Sequence, residues 1–98
     1  MTIAAYVPNL FDRSRFSDRV IFVESAADAA ASEPTLLLVD LDRCDDIEAF
    51  ALPGVRLIGF GPHVDSEAQA EATSAGYDEV LPRSSFFRRL PEILGGQQ

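Results

Sequence analysis

Lysine is absent from this sequence, and every one of its eight basic residues is an arginine. With 16 acidic residues the formal net charge is −8. Nucleic acids and anionic membrane surfaces are bound through a basic footprint, which this composition does not supply. We therefore expect neither nucleic acid nor a membrane as a partner.

Cysteine is nearly absent too, because Cys44 is the only one in the chain. A single cysteine excludes an internal disulfide and any metal site built from several cysteines. The neighbours of Cys44 include Asp42, Asp45 and Asp46, and this negative charge disfavours the thiolate form. We do not expect Cys44 to act as a nucleophile.

Long apolar runs are also missing. No stretch approaches the roughly 20 residues needed to cross a bilayer, and no basic segment precedes an apolar one at the N-terminus. The 98 residues, 47% of them hydrophobic, suffice for one globular domain over residues 1–98. We expect a cytoplasmic protein.

The most informative stretch is residues 34–42. From Leu36 to Leu41 all residues except Asp40 are apolar, without polar alternation. Such a pattern is typical of a strand buried on both faces in a parallel sheet. Asp40 then lies at the carboxyl end of the strand, where ligands and chemistry collect in open α/β sheets.

The rest of the chain alternates between predicted strands and predicted helices. Strands are predicted over residues 3–7, 20–23, 36–42, 55–60 and 79–81, and helices over 9–16, 26–33, 47–52, 66–75 and 85–94. Asn9, Ser25, Asp45, Ser66 and Ser84 or Ser85 are the predicted helix-start residues. Five βα units require parallel strands joined by right-handed crossovers. The predicted fold is a three-layer α/β sandwich with the flavodoxin-like strand order 2-1-3-4-5.

Several segments resemble bacterial response-regulator receiver domains. Residues 75–83 (AGYDEVLPR) resemble the fifth-strand region of these domains, residues 36–42 resemble their third strand, and residues 6–16 resemble their first βα turn. The likeness extends over almost the whole chain and implies a flavodoxin/CheY-like fold.

The resemblance also implies a site centred on Asp40. Receivers accept a phosphoryl group on the acid at the end of strand three, with a Mg²⁺-binding acid pair, a hydroxyl and a lysine as helpers. Here Asp40 matches the acceptor and Asp42 follows where a metal-binding carbonyl is usual. Pro8 and Asn9 replace the acid pair, Gly61 (or Phe60) replaces the hydroxyl, and Arg83 replaces the lysine.

These departures predict a degenerate receiver. Asp40 keeps the acceptor position without its helpers, and Arg83 is expected to form a salt bridge with it. The predicted function is that of a stand-alone pseudo-receiver, because the chain ends soon after its last helix and leaves no room for an output domain. Such a domain would be a signalling or protein-interaction module without efficient phosphoryl transfer and without enzymatic activity. No cofactor is expected, and Asp40 and Asp42 are only weak candidates for Mg²⁺.

Other interpretations of the same residues stay open. The chain could be a working single-domain response regulator phosphorylated on Asp40, or a flavodoxin-like domain that binds a small ligand or a cation. Asp40 and Asp42 could also serve only to bind loop amides, and Arg83 only to neutralise acidic surface. His63 is interpreted as a loop residue, since no second histidine accompanies it.

The last predicted helix suggests an interface. Phe86, Leu90 and either Ile93 or Leu94 are spaced to cover the sheet. This leaves Phe87 as a surplus apolar group beside Arg88. The resemblance implies association with a protein partner or with itself through the strand-four to helix-five face. The alternative is that Phe86 and Phe87 are both buried. Pro91 is expected to kink or restart this helix.

Overall fold

The computed structural model describes residues 2–62 and 65–95 of the chain. Its strands are β1 (Ile3–Tyr6), β2 (Val20–Phe22), β3 (Leu36–Asp40), β4 (Arg56–Gly61) and β5 (Glu79–Pro82). Its α-helices are α1 (Leu10–Arg13), α2 (Ala26–Ala31), α3 (Ser66–Ala75) and α4 (Arg83–Gly95). Two 3₁₀ turns, Leu41–Arg43 and Ile47–Phe50, lie between β3 and β4.

The five strands form one parallel sheet in the order β2-β1-β3-β4-β5. Leu36 of β3 is opposite Ile3 of β1 on one side and Arg56 of β4 on the other. The predicted fold class and strand order are therefore confirmed, with residues 36–40 in the middle of the sheet.

The alternating side chains of β3 enter two separate cores. Leu36 and Leu38 pack with the apolar residues of α4 on one face of the sheet. Leu37 and Val39 pack on the other face, with residues of α2, the second 3₁₀ turn and α3. Because helices or turns cover both faces, every position of this strand is apolar until Asp40.

The segment after β3 differs from its prediction. Residues 47–52 were expected to form an α-helix, but they contain only a 3₁₀ turn, Ile47–Phe50. The turn is capped by Asp46, whose side chain accepts from the Ala49 N–H, and not by Asp45. Phe50 is buried, and the Tyr77 hydroxyl donates to the Ile47 carbonyl at 3.0 Å. These tertiary contacts hold the segment in a tight turn, so that the described chain has four α-helices instead of five.

Other elements differ in extent. Asn9 caps α1 as predicted, but the α-helix ends at Arg13 and not at residue 16. The predicted buried strand at residues 20–23 lies at the sheet edge, with Ile21 49% exposed.

The caps of the last two helices also differ from prediction. Asp65 caps α3 in place of Ser66, while Gly76, with φ of 111°, ends it in the left-handed conformation that favours glycine.

The last helix starts at Arg83, before the predicted caps Ser84 and Ser85, and passes through Pro91 without a break. Proline removes one helical hydrogen bond and normally kinks or ends a helix. Buried residues on both sides of Pro91, from Phe86 to Leu94, keep this helix on the sheet. No helix among residues 2–62 and 65–95 has the length and hydrophobicity required to cross a membrane.

Candidate functional site

The candidate site is a small cleft at the carboxyl edge of the sheet. Its volume is about 190 Å³, and it is lined by Asn9, Asp12, Asp40, Asp42, Arg43, Pro62 and Arg83. These residues come from the loop after β1 and from α1, from the end of β3 and the 3₁₀ turn that follows it, from the loop after β4 and from the start of α4. The cleft therefore brings together four of the five residues predicted for the site: Asn9, Asp40, Asp42 and Arg83.

Asp40 is 2% exposed and its carboxylate faces nearby donors. The Asp42 N–H donates to Oδ1 at 3.2 Å, and Nε of Arg43 lies 3.7 Å from Oδ2. Burial raises the pKa of Asp40, and the negative charge of Asp12 raises it further, while the Asp42 N–H and Arg43 partly offset this effect. By accepting from the Asp42 N–H, the Asp40 carboxylate caps the first 3₁₀ turn, Leu41–Arg43.

Arg83 does not pair with Asp40, and that prediction is wrong. Its Nη1 donates to Oδ2 of Asp12 at 2.7 Å and its Nη2 donates to Oδ1, so the pair is bidentate. The side chain of Asp12 is 4% exposed. The hydrogen bonds to Asp12 raise the pKa of Arg83. The carboxylate of Asp12 thus takes the cation that was expected beside Asp40.

Asp12 reaches this position because α1 is a single, tightly anchored turn. Oδ1 of Asn9 accepts from the N–H groups of Phe11 and Asp12 at 2.8 and 3.2 Å. Nε of Arg13 donates to the Val7 carbonyl at 2.7 Å, which fixes the end of the same turn. The structure therefore places a buried carboxylate after β1, where the sequence analysis found none. In the sequence, Asp12 follows the predicted cap Asn9 by three residues, a spacing typical of a helix start.

The side-chain oxygens of Asn9 and Asp12 are used within the protein. Asn9 caps α1, and both oxygens of Asp12 accept from Arg83. Among residues 2–62 and 65–95, no group of three His, Cys, Asp or Glu side chains is placed to hold a metal ion. Asp40 and Asp42, the weak Mg²⁺ candidates, lie beside Arg43 and Arg83 in the cleft.

The position expected for a hydroxyl group lies at the end of β4. Gly61 is buried there and offers no side-chain donor. Phe60, the other candidate, is fully buried, and its ring stacks on Phe86 with 4.1 Å between centroids. Neither residue supplies a hydroxyl group to the cleft.

A second cleft adjoins the first across Asp42 and Pro62. Its volume is about 300 Å³, and it lies between the 3₁₀ turns and α3. Its lining combines apolar and acidic side chains: Leu41, Asp42, Cys44, Asp45, Ile47, Gly61, Pro62, Ala68, Glu71 and Ala72. Burial raises the pKa of the Cys44 thiol, which disfavours the thiolate.

The predicted interface residues are mostly buried. Phe86 is fully buried and Phe87 is 7% exposed, so Phe87 is not a surplus apolar group on the surface. The Phe87 ring packs against Phe86, and the guanidinium of Arg15 lies 3.9 Å from its centroid. Arg88 is exposed. The alternative, that Phe86 and Phe87 are both buried, is therefore correct. The interpretation of His63 as a loop residue concerns a position outside the residues that the structure describes.

Large apolar side chains are exposed elsewhere. Among the described residues these are Leu10, Phe11 and Ile21, with 73%, 87% and 49% of each residue exposed. Phe11 lies within the predicted helix over residues 9–16, but the sequence does not predict which face of that helix it occupies. A single-turn helix has one inward face, and here Asp12 occupies it.

Comparisons with known proteins concern the fold. No protein-family model matches the sequence, and no curated protein matches it either. Among solved structures, the chain is similar to a protein from Burkholderia pseudomallei K96243 named "Putative pilus assembly-related protein". The TM-score is 0.72 at 18% identity, over 98% of this chain and 87% of that one. The likeness and the strand order together show a flavodoxin/CheY-like α/β sandwich, the fold of receiver domains among others.

Proposed function

We propose that this chain is a pseudo-receiver, a receiver-like domain that acts through protein–protein contacts and does not transfer phosphoryl groups. The observation that carries the proposal is the bidentate pair between Asp12 and Arg83. In a receiver, the cation from the end of strand five balances charge on the phosphorylated acid. Here the corresponding cation is bound to a second, buried carboxylate.

The charges around Asp40 support this proposal. Asp12, Asp40 and Asp42 share the cleft with only two arginines, Arg43 and Arg83. A phosphoryl group on Asp40 would replace its charge of −1 with a charge of about −2 beside the carboxylates of Asp12 and Asp42. Each missing charge-assisted contact costs on the order of 1.5–3 kcal/mol, and the absent hydroxyl at Gly61 is one of them. Phosphorylation of Asp40 is therefore unfavourable.

The cleft also offers little for catalysis of another kind. Among the residues that the structure describes, the seven that line the cleft include no serine, cysteine or histidine that could form a nucleophile–base pair. We therefore propose a binding role, without enzymatic activity. The neighbour's name refers to pilus assembly, which is compatible with a domain that binds other proteins within a larger assembly.

Incubation with acetyl phosphate and Mg²⁺, followed by intact-mass spectrometry, tests the proposal. We expect no mass increase corresponding to a phosphoryl group, under conditions in which a functional receiver is labelled. Asp40→Asn is the matched control, because it keeps the shape of the side chain and removes the acceptor oxygen. Label on the wild type that Asp40→Asn abolishes would establish a working response regulator instead.

A second variant tests whether the altered residues around Asp40 are the reason why it does not accept a phosphoryl group. Asn9→Asp, Gly61→Ser and Arg83→Lys together reintroduce a carboxylate, a hydroxyl and a lysine around Asp40. This triple variant is expected to accept more label than the wild type. Thermal stabilisation of the wild type by Mg²⁺ that Asp40→Asn removes would instead favour a cation-binding domain.

A further inference from the structure

A groove between the segment after α1 and the second half of α4 has the character of a small-ligand site. Its volume is about 310 Å³. Its lining is mostly apolar, with one arginine and one serine: Arg15, Phe16, Ser17, Phe87, Leu90, Pro91 and Leu94. Small-molecule sites are typically clefts of about 300 Å³ or more, in which a few polar groups interrupt an apolar lining. Among the described residues, none lines both this groove and the cleft around Asp40.

The guanidinium of Arg15 lies over an aromatic ring at one end of the groove, 3.9 Å from the centroid of Phe87. Arg83 also lies over this ring, at 5.1 Å, but it donates to Asp12. The side chain of Arg15 makes no ion pair and no hydrogen bond with any residue that the structure describes. A guanidinium stacked on a ring keeps its N–H donors available for another group. The groove therefore presents a positive charge with unused donors.

The segment that carries Arg15 is fixed by contacts within the protein. The N–H of Arg15 donates to the Asp12 carbonyl at 3.0 Å, and the N–H of Phe16 donates to the Arg13 carbonyl at 3.1 Å. The Phe16 ring packs edge-on against Phe87, with 5.7 Å between centroids. Groups that are already held in place lose little conformational entropy when they bind a ligand. Arg15 is therefore preorganised.

Ser17 adds a second donor to the groove. Its Oγ accepts from the Arg19 N–H at 3.3 Å, so the hydroxyl keeps its own hydrogen to donate. A guanidinium and a hydroxyl are suitable donors for the two oxygens of one carboxylate. The described lining contains no carboxylate that would compete for them, and the nearby exposed acids Asp18 and Glu92 form no ion pair with Arg15.

The rest of the lining suits an alkyl chain. The α4 residues of the groove, from Phe87 to Leu94, extend along about 10 Å of helix at about 1.5 Å per residue. A peptide would bring amide groups that need partners, and Arg15 and Ser17 are the only polar side chains in the described lining. The net charge of −8 disfavours a nucleic acid. These properties favour a ligand with one carboxylate and an apolar chain.

We propose that this groove binds a medium-chain aliphatic carboxylate. The carboxylate accepts from the Arg15 guanidinium and the Ser17 hydroxyl, and the alkyl chain lies along α4 from Phe87 to Leu94. This inference goes beyond the proposed function, because the groove lies outside the Asp40 cleft and its ligand does not depend on whether Asp40 accepts a phosphoryl group.

Titration of the isotope-labelled chain with octanoate, followed by protein NMR, tests the proposal. Octanoate is expected to shift the signals of residues 15–17 and 87–94. Hexanoate is expected to bind more weakly, by up to about fourfold for each methylene group that no longer fills the groove. Octanol has the same chain without the charge, and it is expected to bind at least about tenfold more weakly than octanoate.

Arg15→Gln tests the assignment of the carboxylate. This variant is expected to lower the affinity for octanoate at least about tenfold and to leave the affinity for octanol nearly unchanged, because only the charged donor is lost. Arg19→Gln is the matched control, since Arg19 is also exposed, makes no ion pair with a described residue and does not line the groove. It is expected to leave both affinities unchanged. Ser17→Ala is expected to weaken octanoate binding several-fold.

Several results would overturn the proposal. Octanoate that shifts no signals at millimolar concentration, or shifts only signals remote from the groove, would do so. So would equal affinities of the wild type for octanoate and octanol, or octanoate binding that Arg15→Gln leaves intact. A short peptide ending in leucine that binds more tightly than octanoate would assign the groove to a protein partner instead. Labelling of Asp40 by acetyl phosphate contradicts only the pseudo-receiver function and not this ligand site.

Discussion

At the scale of single residues, Asp12 decides how the cleft is arranged. It is 3% exposed and binds Arg83 through both carboxylate oxygens. Residues 12 and 83 are far apart in the chain, and no local pattern links them. The sequence identified Arg83 as the only cation expected near the site, but its partner depends on which carboxylate the folded chain presents.

Replacing Asp12 with Asn should destabilise the protein by about 1.5–3 kcal/mol, the typical contribution of a hydrogen bond to a charged group. Chemical denaturation measures the loss, and Asp18→Asn, at an exposed position, controls for the removal of one negative charge. In a double-variant cycle with Arg83→Met, the combined loss should be smaller than the sum of the single losses. An Asp12→Asn variant as stable as the Asp18→Asn control would contradict this prediction.

Asp40 should make stability depend on pH. Because burial raises its pKa, the folded protein binds this proton more tightly than the unfolded chain does. The charged form therefore costs stability at neutral pH, and the cost disappears as the pH falls through the raised pKa toward the ordinary value of about 3.9.

Asp40→Asn should accordingly stabilise the protein at pH 7, on the order of 1 kcal/mol. The gain over wild type should shrink as the pH is lowered toward 4. Urea denaturation at several pH values measures both quantities, with Asp18→Asn again as the control for charge. Asp40→Asn could instead fail to stabilise the protein at pH 7, or its stabilising effect could grow toward low pH. Either result would show that the hydrogen bond and charges around the Asp40 carboxylate outweigh the cost of burying it.

At the scale of elements, the first 3₁₀ turn is held by the contact between Leu41 and β4. A Cβ atom added at Gly59 would lie 2.9 Å from Cγ and Cδ1 of Leu41. A Cβ atom added at Gly61 would lie 4.0 Å from Cβ of Leu41, an ordinary contact. The absence of a side chain at Gly59 therefore lets the segment after β3 fold down onto the sheet.

Gly59→Ala should destabilise the protein by about 1–3 kcal/mol, the usual cost of overpacking, and should displace Leu41. Gly61→Ala is the matched control on the same strand and should change stability by no more than about 0.5 kcal/mol. Thermal denaturation of the two variants under identical conditions makes the comparison. Equal effects at the two positions would mean that Leu41 adjusts without cost.

The elements also show where local patterns suffice. Residues 36–39 are apolar without alternation and form the central strand up to Asp40, because a strand covered on both faces has that composition. Residues 47–52 carry the start signal of a helix, yet they form a 3₁₀ turn held by Phe50 and Tyr77. A segment this short gains too little from local hydrogen bonds to oppose such contacts.

At the scale of the whole molecule, the net charge of −8 should weaken folding through self-repulsion at low ionic strength. The melting temperature should rise as salt is increased to about 0.15 M, since screening relieves repulsion between exposed carboxylates. A gain of about 1 kcal/mol corresponds to about 4–8 °C for a domain of this size.

A variant with fewer acids provides the control for that prediction. Asp18→Asn, Glu71→Gln and Glu92→Gln together remove three exposed carboxylates, so the variant should respond less to salt. If salt raises the melting temperatures of the variant and the wild type equally, the net charge is not the cause of the salt effect.

The sequence by itself determined the class of fold, the strand order and the position of Asp40 at the end of the central strand, because these follow from patterns of burial along the chain. It also predicted that the helpers of a phosphorylation site are altered. Only the tertiary structure decided that Arg83 binds Asp12, that Phe87 is buried and that Phe11 is exposed. Those outcomes depend on which faces of α1 and α4 meet, and a single turn of helix carries too little periodicity for its sequence to specify a face.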